Sequence, residues 1–142
     1  MNLKSIALLI TAIHMPLFAQ NSEQYGPFNL DGGKDTCRTD KGEEIKKYQT
    51  YQAPPDRFFV EDSILVQKIS GWAPKAHSCS VVDVQRKKIK AKTDYGEVEV
   101  AVVDSFTVFA HADCGSGWGS QIGKTINIEC SVSAKLQKYS NK

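Results

Sequence analysis

Between Thr125 and Leu136 the chain alternates without a break. Ile126, Ile128, Cys130, Val132, Ala134 and Leu136 fall on one parity, and Thr125, Asn127, Glu129, Ser131, Ser133 and Lys135 on the other. Successive side chains of a strand point to opposite faces, so an extended segment gathers this apolar set on one dry face, whereas a helix would scatter it around its surface. One dry face and one wet face is how antiparallel sheet reads.

A second long strand precedes it. Glu97 to Ala112 carries Val98, Val100, Val102, Phe106 and Val108 on a single parity. Across a tight turn at Tyr95-Gly96, Lys87 to Thr93 can fold back as its hairpin partner. Pairing Asp94 with Glu97 sets Ala91 opposite Val100, Ile89 opposite Val102 and Lys87 opposite Asp104. The one acid on the inward parity then meets a lysine, while Lys92 faces Glu99 on the outer side. Upstream of Lys87, Val82 and Val84 fall out of phase and require a bulge.

The first third is less regular. Gln20 to Lys41 contains Gly26-Pro27 and Asp31-Gly32-Gly33, which read as turns in an arm held by Cys37. Asp31, Asp35 and Asp40 lack the ligand spacing of a calcium loop and read as solvated turn residues. Asp40 followed by Glu43 has the form of a capping box, and Ile45, Tyr48 and Tyr51 share a helical face before Pro54-Pro55. This predicts a short peripheral helix from Lys41 to Tyr51, with a strand as the alternative because of the Tyr and Thr residues near its end. Asp56 to Trp72 reads two ways: Phe58, Leu65, Ile69 and Trp72 recur at helical spacing, whereas its β-branched content favours strands interrupted near Glu61-Asp62-Ser63, with a turn between Gly71 and Pro74 that carries Trp72.

The N-terminus bounds the compartment. Lys4, the apolar run Ile6 to Ile13 and the small residue Ala19 have the layout of a secretory signal over residues 1–19, leaving a single β-rich domain over 20–142. No apolar run approaches the roughly 20 residues needed to span a bilayer, so no membrane span is expected. Of 18 basic and 16 acidic residues, that segment removes only Lys4, leaving 17 and 16. A near-neutral balance singles out no nucleic-acid partner. A periplasmic or secreted chain with four cysteines, Cys37, Cys79, Cys114 and Cys130, is expected to carry two disulfides. Strand register places Cys114 near a loop and Cys130 far down the return strand, too far apart for a bridge. Cys79 falls opposite Ala112, which favours Cys79 with Cys114 and Cys37 with Cys130. A long irregular loop before Thr125 would instead permit Cys37 with Cys79 and Cys114 with Cys130.

The loop from His111 to Gln121 holds a His, an Asp, a Cys and two serines. A nucleophile needs a base in reach and a third group to orient it, and no nucleophile-elbow motif surrounds Ser116. No catalytic residue is therefore assigned. His77, Cys79, His111 and Cys114 are zinc-type ligands, but oxidised cysteines cannot serve, so neither metal nor cofactor is expected. Arg86, Lys88, Lys90 and Lys92 form a basic run that could bind a polyanion. Lysines along an edge strand also guard against edge-to-edge pairing, and the acids across the hairpin offset them. Trp118 between Gly117 and Gly119, and Trp72 in Gly-Trp-Ala-Pro, are the rings most suited to contact a partner, with Ser116, Gln121 and His111 beside Trp118.

The expected fold is mainly β, an antiparallel sandwich or small barrel with one short peripheral helix and two disulfides. The expected function is an exported, non-catalytic module that binds a protein partner, of inhibitor, immunity or adhesion type. A glycan- or cell-wall-binding domain using the tryptophans is the alternative. A small secreted hydrolase is the third.

Overall fold

The computed structural model describes residues 22–38, 42–116 and 122–139. The signal segment expected over residues 1–19 lies outside them. Seven strands follow in order: β1 (Glu23–Thr36), β2 (Glu44–Gln52), β3 (Arg57–Phe59), β4 (Leu65–Trp72), β5 (Ala76–Thr93), β6 (Gly96–Asp113) and β7 (Thr125–Lys138), with one 3-10 turn at Glu61–Ser63. Every ladder is antiparallel.

Two strands act as spines. β7 is flanked by β1 and β4, and β6 by β2 and β5. The short β3 joins these groups, because Phe59 is a register partner of both Val103 on β6 and Leu136 on β7. The sheet therefore curls into a nearly closed barrel. The alternating face of β7 lines it as expected, with Ile126, Ile128, Cys130 and Val132 wholly buried against Phe106, Val108, Ala110 and Ala112 of β6. Removing a large core side chain such as Phe106 from this interior would cost about 3–5 kcal/mol.

Among the described residues no ladder joins β1 to β2 or β4 to β5, so the barrel has two seams. The β1/β2 seam is filled by rings. Tyr25 packs edge-on against Phe59 at 4.9 Å, Phe28 stacks on Tyr51 at 6.0 Å, and Tyr51 stacks on Phe106 at 5.3 Å. Burial pushes the Tyr25 and Tyr51 phenols above the usual tyrosine range, and their mutual repulsion adds to the effect at Tyr51.

Several sequence expectations are corrected. The helix over Lys41 to Tyr51 is instead strand β2, running from Glu44↔Asp113 to Gln52↔Ser105 along an edge of β6. A ladder to β6 outweighs local helix signals here, and burying Ile45 and Tyr51 satisfies a period of two. The Glu43 carboxylate still accepts a backbone N–H, but from Arg38, at 2.8 and 3.0 Å. Asp40, its expected capping partner, lies outside the described residues. The arm expected before Cys37 is strand β1, and its two turn signals are irregularities in a continuous ladder, between Tyr25 and Phe28 and between Asp31 and Gly33. Gly26 is required at the first, since a Cβ there would sit 2.7 Å from the Val132 carbonyl.

The β5–β6 hairpin turns one residue earlier than expected, at Asp94-Tyr95, which shifts the register by two. Thr93 pairs with Gly96, Ala91 with Val98, Ile89 with Val100 and Lys87 with Val102. The turn closes one residue earlier because Thr93 Oγ1 accepts the Tyr95 amide at 3.1 Å and donates to the Gly96 carbonyl at 2.7 Å. A two-residue shift preserves parity, so the faces survive and Lys87 still reaches Asp104, at 3.0 Å. The bulge required near Val82 is present, together with a second between Gln85 and Arg86. Val98 is exposed, so the expected inward face loses its outer end.

Both disulfides exist, with a different pairing: Cys37–Cys114 and Cys79–Cys130, at Cα separations of 5.8 and 6.0 Å. Cys79 lies opposite Ala110, not Ala112, so Cys114 sits farther along β6 than assumed. The side chain of Cys79 crosses to Cys130 on the buried parity of β7. Thr36 pairs with Thr125 and the Cys37 amide donates to the Lys124 carbonyl, which places Cys37 six residues, about 20 Å of strand, from Cys130. Cys114 is its neighbour instead. Closing loops of 77 and 51 residues, each bridge removes about 4 kcal/mol of unfolded-state entropy.

Candidate partner-binding surface

The second seam differs from the first. Ala73, Pro74 and Lys75 turn the chain from β4 into β5, so the two strands run side by side. Lys68 Nζ donates across to His77 Nδ1 at 2.6 Å, and the Cys79–Cys130 bridge ties β5 to β7, the strand that β4 pairs with. Their facing edges have no ladder. Strand edges without partners present unpaired backbone donors and acceptors, the template for adding another strand.

Apolar side chains gather around this seam. Leu65, Ile69 and Trp72 on β4, and Val81 and Val82 on β5, are all exposed, at 38 to 53% of their full area. Ile69 stands out because a bulge between Lys68 and Ser70 turns it away from the barrel. Gly71 lets β4 lie close to β7, since a Cβ there would be 2.8 Å from the Asn127 carbonyl. Leu65 and Ile69 were not singled out from the sequence. The available signal was apolar residues on both parities, Ile64-Leu65-Val66 and Val81-Val82, where a strand with one wet face needs them on only one.

Trp72 closes β4 opposite Asn127 and is 45% exposed. It borders the wet face of β1, β7 and β4, where Asn29 Nδ2 donates to Glu129 at 3.1 Å and Ser70 Oγ donates to the same carboxylate at 3.4 Å. Ser116 is exposed at a bend after Cys114. Trp118 and Gln121 lie outside the described residues.

His111 sits on the outer face of β6. Its ring stacks on Phe109 at 5.1 Å, and Phe109 stacks on Tyr48 at 4.5 Å. Nε2 lies 2.9 Å from Glu44 Oε2. An ionised carboxylate only accepts, so Nε2 carries the proton. Asp113 shares the outer parity as expected, but its Oδ1 accepts the Gly115 amide at 2.8 Å. The His111 proton is directed to Glu44 and not to Asp113.

The basic run is neutralised locally. Arg86 pairs with Glu61, Lys88 with Glu99 at 3.5 Å and Lys90 with Glu97 at 3.8 Å, while Lys92 is the register partner of Glu97. Such exposed pairs add little stability, but they cancel the field a polyanion would need.

No family model matches the chain, and neither does any curated protein or solved structure. Among the described residues no helix is long and apolar enough to cross a membrane.

Proposed function

We propose that the protein is an exported, non-catalytic binding module that engages a protein partner through the β4/β5 seam, with Trp72 as its anchor. The observation that carries this reading is the gathering of five exposed large apolar residues on two adjacent strands whose facing edges have no ladder. Large apolar side chains left exposed beside unpaired strand edges mark contact sites, and indoles buried at an interface dominate its energetics. Export is supported by the sequence of residues 1–19 and by two disulfides, which persist in oxidising compartments. An inhibitor, immunity or adhesion component fits a small stapled scaffold of this kind.

Affinity capture from the native host tests this with matched baits. The wild-type chain should retain a discrete protein that Ile69→Glu and Trp72→Ala lose and Lys90→Ala keeps. Equal retention by all four baits contradicts the proposal.

One observation favours a second reading. Trp72 borders a flat face rich in Asn, Ser and carboxylate groups, which combines an indole for stacking with hydrogen-bonding groups for sugar hydroxyls. Saturable quenching of tryptophan fluorescence by glycan or peptidoglycan fragments, abolished in Trp72→Ala, would select the glycan reading. An unchanged spectrum would remove it.

A further inference from the structure

We propose that Glu44, His111 and Asp113 form a site for a borderline divalent cation, with Zn2+ as the fitting case. One donor atom from each lies within 4.8 Å of the other two. The donor set of one imidazole nitrogen and two carboxylate oxygens suits Zn2+, and solvent would complete the coordination. This site shares no residue with the β4/β5 seam, so its failure and that of the partner proposal are distinguishable.

The geometry follows from register. His111 and Asp113 are two apart on β6 and therefore share its outer face, and Glu44 is the direct partner of Asp113 on β2. With bonds of about 2.1 Å, tetrahedral ligand atoms lie about 3.4 Å apart, so the widest separation must shorten. Glu44, whose side chain is 38% exposed, has room to move inward. The other two are braced. Phe109 holds the His111 ring, and the Gly115 amide holds Oδ1 of Asp113. The Cys114 amide donates to the Glu43 carbonyl at 2.9 Å, and Cys114 itself is bridged to Cys37, so both ligand-bearing strand ends are tied together.

The cluster already draws positive charge. Lys75 Nζ lies 3.7 Å from Asp113 Oδ2 and Lys46 Nζ 3.9 Å from Glu44 Oε2, on side chains 65% and 56% exposed. Ammonium groups held so loosely can swing into water when a dication arrives. On binding, the proton of the neutral His111 ring moves through solvent from Nε2 to Nδ1, so that Nε2 presents its lone pair to the metal.

Calorimetric titration of the untagged, disulfide-bonded chain with ZnCl2 tests the site. One Zn2+ per chain is expected with micromolar affinity, weakened at least tenfold in His111→Ala and in Glu44→Gln and unchanged in His77→Ala. Circular dichroism of each variant confirms that the fold persists. The His111 ring resonances should shift on zinc addition in the wild type. No saturable binding up to 1 mM, or equal binding by His111→Ala and wild type, overturns the proposal.

Discussion

The barrel closes differently along its two seams. Between β1 and β2, Tyr25, Phe28 and Tyr51 pack onto Phe59 and Phe106, and rings fill the gap that hydrogen bonds leave. At the β4/β5 seam a disulfide ties β5 to β7, the ladder partner of β4, one Lys68–His77 hydrogen bond crosses between β4 and β5, and large apolar residues of both strands are exposed. The same physical problem, two strand edges without a ladder, is solved by burial on one side and by a covalent staple on the other. A staple fixes the distance between strands without covering their surfaces. Burial has been spent on stability at the first seam, and at the second it is still available to a partner.

Substitutions at the two seams should therefore separate stability from binding. The largest effect is expected for Phe106→Ala, which empties the ring cluster and should lower the unfolding free energy by about 3–5 kcal/mol in urea titration. Equal destabilisation by Ile69→Ala would erase the distinction. Replacing Cys79 and Cys130 together with alanine should cost about 2–4 kcal/mol, with the greatest rise in amide exchange on β4 and β5. If exchange rises first on β1 and β2, the staple does not hold the second seam.

The ring-filled seam should also respond to alkali. Tyr25 and Tyr51 have folded pKa values above their unfolded value of 10.0, so their stabilising contribution is complete below pH 10 and is lost as pH rises through the raised values. A Tyr25→Phe, Tyr51→Phe double variant should flatten this alkaline loss of stability. Asp104, outside both seams, behaves oppositely. Its bonds to Lys87 and Gln52 lower its pKa, so its contribution is present above the unfolded value of 3.8 and disappears as pH falls through the depressed one. Asp104→Asn should cost no more than about 1 kcal/mol at pH 7 and remove that part of the acid sensitivity. The smallest stability change, within about 0.5 kcal/mol, is expected for Leu65→Ser on the exposed seam.

The strands with a single buried face were legible in the sequence. β7 alternates because every second residue meets the core, and β6 does so as far as its bulges allow. The interruption at Glu61–Ser63 was readable for the same reason, as a polar break in an apolar pattern. β2 was legible only as an alternative, from its Tyr and Thr residues, because its helix signals are local whereas the ladder to β6 that overrides them is not. The cysteine pairing depended on a register that one turn residue displaced by two positions. At the candidate surface Trp72 could be named as an exposed ring, but its neighbours Leu65 and Ile69 could not. Whether an apolar residue on a strand faces the core or solvent depends on a bulge and on an edge left unpaired, and neither is encoded within the strand itself.

Site-specific photo-cross-linking in the native host tests the difference between the seams most directly. A benzophenone side chain placed at Ile69 should trap a discrete protein adduct, while the same group at Phe28, exposed at the ring-filled seam, should trap none. Adducts at Phe28 without any at Ile69 would contradict the account.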